Sequence, residues 1–68
     1  MNKFKDRFRE LRIEKGATRQ QVADDLFVSV RLISYWENGK MECNFDMLIK
    51  IAKYFSVSTD YLLGLSDY

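Results

Sequence analysis

Thr18-Arg19-Gln20-Gln21-Val22-Ala23-Asp24-Asp25-Leu26-Phe27-Val28-Ser29-Val30-Arg31-Leu32-Ile33-Ser34-Tyr35-Trp36-Glu37-Asn38 is the stretch that decides the fold. Thr18 is a good N-cap, and Gln21 three positions on completes the pattern of a capping box. A helix is therefore expected at about 19–26, turning Val22, Ala23 and Leu26 inward. Phe27 and Val28 interrupt it, and Ser29 can cap a second helix. There Ile33 and Trp36 share one face, with Glu37 at its margin. A rotation of about 100° per residue puts Arg31 and Tyr35 almost opposite Ile33, facing outward. Gly39 closes the helix. The connection is too short for an antiparallel pair, so the two helices should cross at a large angle.

Working outward, Phe4, Phe8 and Leu11 recur at helical spacing and define a first helix that ends near Gly16, a residue that tolerates positive φ. Downstream, residues 40–44 read as a loop and Asn44 as the cap of a fourth helix. Phe45, Leu48, Ile51, Ala52 and Phe55 form the expected buried stripe of that helix. Ser58 caps a short fifth helix carrying Tyr61, Leu62, Leu63 and Leu65, with Gly64 near its end. No segment alternates apolar and polar residues for long enough to read as a strand. The fold class is all-α, with five helices in one domain over residues 1–68.

Composition is that of a globular protein, 47% hydrophobic and 31% charged, with no Pro and only three Gly in 68 residues. One core is all that such a length can build. With Cys43 as the sole cysteine no intrachain disulfide can form, and a reducing cytoplasm fits best. The charged N-terminus does not read as a signal peptide, and no apolar run is long enough to span a bilayer. The net charge of +1 is unevenly placed: residues 1–40 hold nine Lys/Arg against six Asp/Glu, and residues 41–68 hold two against four. A basic end facing a polyanion accounts for that asymmetry, as does a merely solvated face.

The crossed helix pair suits double-stranded DNA, because one helix can span the backbone while the next enters a major groove about 12 Å wide. Thr18-Arg-Gln-Gln-Val-Ala23, Val28-Ser29 and Ile33-Ser-Tyr-Trp-Glu-Asn-Gly39 together resemble the phage-repressor-like (Cro-type, xenobiotic-response-element-type) helix-turn-helix transcriptional regulators. Leu11-Arg12 before them, and Ala52, Val57-Ser58 and Asp60-Tyr-Leu-Leu-Gly64 after them, extend the resemblance to roughly residues 4–66. It implies a lambda-repressor-like DNA-binding domain whose helix-turn-helix covers about 18–38 and whose third helix is the recognition helix. By that resemblance Val30, Arg31, Leu32 and Tyr35 meet base edges, and Arg19, Ser34, Asn38 and Lys40 meet phosphates. Arg31 is suited to a bidentate guanine contact, and Val30 and Leu32 to thymine methyl groups. Tyr35 stands where the family often has Lys or Arg, and its contact is open between phosphate, base and sugar. Arg12 and Glu37 match a pair that links the first helix to the end of the third.

The resemblance further implies a bacterial or phage repressor that binds an operator as a homodimer, with Tyr61, Leu62, Leu65 and Tyr68 as candidate dimer contacts. The chain then reads either as a DNA-binding fragment or as a minimal regulator that pairs only on DNA. An antitoxin or other protein-interaction module using the same fold is the alternative. Two positions depart from the family pattern. Phe27 occupies a turn position where glycine is usual, and it is expected either to accept the strain or to shift the turn, because its ring gains contacts. Cys43 stands where Pro is common. Trp36 is expected in the core, with its indole N–H on a carbonyl or water. No His is present, Cys43 has no His partner, and Asp24 and Asp25 point different ways on one helix. No glycine-rich phosphate loop is present either. The reading is therefore non-enzymatic, with no cofactor, metal, membrane or small-molecule ligand expected.

Overall fold

The structure, a computed structural model, describes residues 2–67. Five helices follow one another: α1 Phe4–Lys15, α2 Arg19–Leu26, α3 Val30–Asn38, α4 Phe45–Phe55 and α5 Thr59–Leu63. Among the described residues there is no strand, and no helix is long and apolar enough to cross a membrane.

Local chemistry sets most helix boundaries. Thr18 Oγ1 accepts from the Gln21 amide at 3.1 Å while Gln21 Oε1 accepts from the Thr18 amide at 2.8 Å, the full capping box. Ser29, Asn44 and Ser58 cap α3, α4 and α5 through the amides of Leu32, Met47 and Tyr61. At the start of α1, Asn2 Oδ1 takes the Phe4 amide at 3.0 Å. These caps hold amide donors that no earlier turn could satisfy, which is why short helices persist in so small a protein.

The core gathers Phe4, Phe8, Leu11, Val22, Ala23, Leu26, Ile33, Trp36, Ile51, Ala52 and Leu62. Helix α1 packs on α3 and α5, α2 on α3, and α4 on α5. Trp36 is wedged edge-on against Phe8 at 5.6 Å and Phe4 at 6.3 Å, and Phe8 meets Phe55 at 5.6 Å. This aromatic cluster fixes the roll of α3, because rotating the helix would expose the tryptophan. Trp36 Nε1 is buried, and among the described residues no protein carbonyl accepts its hydrogen bond.

The expected stripe on α4 needs one correction. Phe45 is 85% exposed, although Leu48 and Phe55 are half-buried and Ile51 and Ala52 are buried. Phe45 is the first residue of α4, and its ring is left to solvent there.

Phe27 also departs from expectation. It ends α2 at φ 59°, ψ 42°, the left-handed region, and its amide and that of Val28 close the helix on Asp24 O and Ala23 O. The ring, however, is 87% exposed, with the Lys50 ammonium 5.1 Å from its centroid. Thus the turn keeps its glycine-like geometry around a bulky residue, and the ring does not gain the packing that would offset strain. The same lysine donates to Leu26 O at 3.0 Å and so satisfies a carbonyl at the end of α2. Left-handed geometry costs a non-glycine residue about 1–2 kcal/mol, part of which glycine would return as unfolded-chain entropy. Phe27→Gly is therefore expected to raise stability by about 0.5–1 kcal/mol, or roughly 2–8 °C in Tm. An unchanged or lower midpoint in a thermal melt would remove the strain argument.

A second lock joins α2 to α4. Tyr54 Oη donates to Asp25 Oδ2 at 2.6 Å, and the Lys15 ammonium sits 5.0 Å from the Tyr54 ring. Burial, then the hydrogen bond and charge of Asp25, push the Tyr54 phenol from 10.0 up to about 12. A folded-state value above the unfolded one means the contribution is complete below pH 10 and is lost as pH rises through about 12. Wild type should lose stability across that window, whereas Tyr54→Phe, weaker at pH 7, should show a shallower loss there. Parallel pH profiles in urea denaturation would dissociate Tyr54 from the alkaline limb.

Candidate nucleic-acid interface

Helix α3 has two unlike sides. Ile33 is fully buried and Trp36 and Glu37 are buried, whereas Val30 and Arg31 are exposed at the N-terminal end and Asn38 and Lys40 at the other. Tyr35 is half-buried, with Lys40 Nζ 6.0 Å from its ring centroid. Among the described residues Arg31 has no hydrogen-bond or ion-pair partner. An exposed guanidinium with no protein acceptor retains all its donors for another molecule.

Not every expected contact residue has the expected setting. Leu32 is not exposed but half-buried against the core. The helical rotation explains it, since Leu32 lies only about 40° from Trp36 around the axis and so shares the flank of the buried face. Ser34 is also half-buried. Among the dimer candidates, Leu62 is fully buried in the core, where α5 packs on α1 and α4, and it offers no surface to a second copy. Leu65 is 76% exposed, and Tyr61 is half-buried beneath the Arg7 guanidinium, 4.1 Å above its ring. Tyr68 lies outside the described residues.

The residues that fix α3 form a charged cluster. Arg12 reaches Glu37 with Nε at 2.6 Å and Nη2 at 3.1 Å, and its Nη1 donates to Ala17 O at 3.0 Å. This fork ties α1, the α1–α2 link and the end of α3 together. Arg19 also reaches Glu37, through Nε to Oε1 at 3.1 Å. That third member was not foreseen: 18 positions separate Arg19 from Glu37, and no local pattern marks the pairing. Cys43 is half-buried, and burial raises its thiol pKa, which keeps it protonated.

A helix pair joined by a tight turn, with a polar ridge on the second helix and its back anchored in the core, defines a helix-turn-helix domain. Comparison with known proteins agrees: a family described as a helix-turn-helix domain matches residues 6–67, and the chain belongs to it. It is 43% identical over 61 residues to the HTH-type transcriptional activator BcrR of Enterococcus faecalis, covering 90% of this chain and 30% of that protein. It is 34% identical over 61 residues to the HTH-type transcriptional regulator ImmR of Bacillus subtilis (strain 168), covering 90% of this chain and 48% of that protein. A crystal structure of a transcriptional regulator from Listeria innocua matches with TM-score 0.88 and 31% identity, over 94% of this chain and 60% of the other. The chain thus spans less than two thirds of each of these proteins. Its family is that of helix-turn-helix transcriptional regulators.

Proposed function

We propose that residues 1–68 form one DNA-binding unit that reads an operator half-site by placing α3 in the major groove. The observation that carries this reading is the exposed guanidinium of Arg31, without a partner among the described residues, on a helix whose opposite side is fixed by Ile33 and Trp36. Arg31, Val30 and Tyr35 supply base contacts, with Leu32 limited to the edge it leaves exposed. Arg19, Ser34, Asn38 and Lys40 supply phosphate contacts. Phosphate contacts set register and affinity, whereas base contacts set sequence preference.

Size supports a homodimer. The longest dimension of the chain is 27 Å, shorter than the 34–36 Å or so that separates successive major-groove faces. One copy therefore occupies one half-site, and two copies related by a twofold axis cover a roughly palindromic operator. Leu65 and the rim of Tyr61 are the surfaces we assign to the dimer contact. A cytoplasmic repressor that excludes polymerase from a promoter fits this architecture. Selection of bound duplexes from a random pool, followed by a gel shift, tests the reading. A palindromic consensus and a two-copy band are expected, whereas no enriched sequence and no shift at low salt would overturn it. A reporter placed behind the selected site should fall in output when the chain is supplied, and a rise would reverse the assigned direction of control.

A further inference from the structure

The Glu37 carboxylate is 1% exposed and serves two arginines of different character. Arg12 is buried and uses both Nε and Nη2, so it alone matches the two carboxylate oxygens. Arg19, 45% exposed, spends only its Nε on Oε1. Among the described residues its two terminal nitrogens have no protein partner. Two cations around one anion leave a surplus positive charge, and it resides on the more exposed member. A guanidinium has two edges that can each engage an oxyanion, so holding the Nε leaves the far edge available. Held this way, Arg19 has fewer rotamers to lose when an anion arrives.

We propose that Glu37 is a positioning residue for Arg19: it anchors the guanidinium by its Nε and presents the outer Nη edge to a phosphodiester of the duplex. The proposal rests on the DNA-binding reading above, and it assigns Glu37 a part in binding beyond its part in the fold. The pairing assists binding and does not compete with it, because the edge given to Glu37 is not the edge given to phosphate. It also distinguishes arginine from lysine at position 19, since an ammonium has no second edge and cannot serve both partners at once.

The test is the affinity of the chain for a random-sequence duplex, read by fluorescence anisotropy at several salt concentrations, with circular dichroism confirming that each variant is folded. Arg19→Ala should weaken binding by about tenfold and reduce the salt slope by about one. Arg19→Lys keeps the charge and should keep the slope, yet recover less than about a third of the lost affinity. In a Glu37→Gln background Arg19→Ala should cost about threefold or less, the signature of coupled residues. An equal cost in both backgrounds, a lysine as good as arginine, or tighter binding by Glu37→Gln would each overturn the proposal. If Glu37→Gln does not fold, the lysine variant decides alone. Failure of the wild-type chain to bind any duplex would instead sink the functional reading. Wild-type binding that Arg19→Ala leaves unchanged would sink the positioning role only.

Discussion

Arg31→Ala is expected to lower affinity for the selected operator by about ten- to a hundredfold while changing random-duplex affinity by less than about threefold. The size follows from the worth of a bidentate base contact, about 1–3 kcal/mol of discrimination. Selectivity follows from geometry. Arg31 is exposed on α3 with no acceptor among the described residues, and α3 cannot roll because Ile33 and Trp36 are packed behind it. A contact offered from a fixed ridge meets a particular base edge, and its loss shows only where that base is present. Competition gel shifts with both duplexes measure the two affinities together. Equal losses on both would move Arg31 to the backbone and leave Tyr35 and Val30 to carry the readout.

The second large effect concerns stability. Arg12→Ala should cost about 3–5 kcal/mol, because it leaves the buried Glu37 carboxylate with one partly exposed partner. Domains of this size have only a few kcal/mol in total, so the variant should be largely unfolded at 37 °C. Arg19→Ala, by contrast, should cost less than about 1 kcal/mol, because solvent screens its exposed side and Arg12 keeps both oxygens occupied. Replacing the whole pair, Arg12→Met with Glu37→Leu, should recover most of the loss, since neither charge is then stranded. Urea denaturation followed by circular dichroism ranks the three. If Arg12→Ala and Arg19→Ala came out equal, the two arginines would share the carboxylate evenly and the cluster would not have a buried and an outer member.

Much of this architecture was legible because it is written in short-range chemistry. The capping box at Thr18 and Gln21 and the caps at Ser29, Asn44 and Ser58 depend on residues three apart, and all form as expected. The roll of α3 was equally legible, since Ile33 and Trp36 fall on one side of any regular helix. Leu32, Phe45 and Leu62 were misjudged for a common reason. Whether an apolar residue on a helix flank is covered depends on the neighbouring element, and periodicity does not reveal where that element ends. Phe27 shows the same limit in reverse: the left-handed turn was foreseeable, but not that its ring would lie open beside Lys50.

What the order of residues determined by itself is the set of five helices, their caps and the two sides of α3, because hydrogen bonds within a turn and a fixed rotation per residue require no distant partner. The resemblance already paired Arg12 with Glu37, and the pair forms; what only the folded molecule decided is which further groups join or meet, Arg19 on Glu37 and Tyr54 on Asp25. Arg12, Arg19 and Glu37 come from three helices, and Tyr54 and Asp25 from two. Electrostatic pairing falls steeply with distance and solvent exposure, so it exists only once packing has closed those gaps. The buried carboxylate between two arginines is therefore a product of tertiary structure.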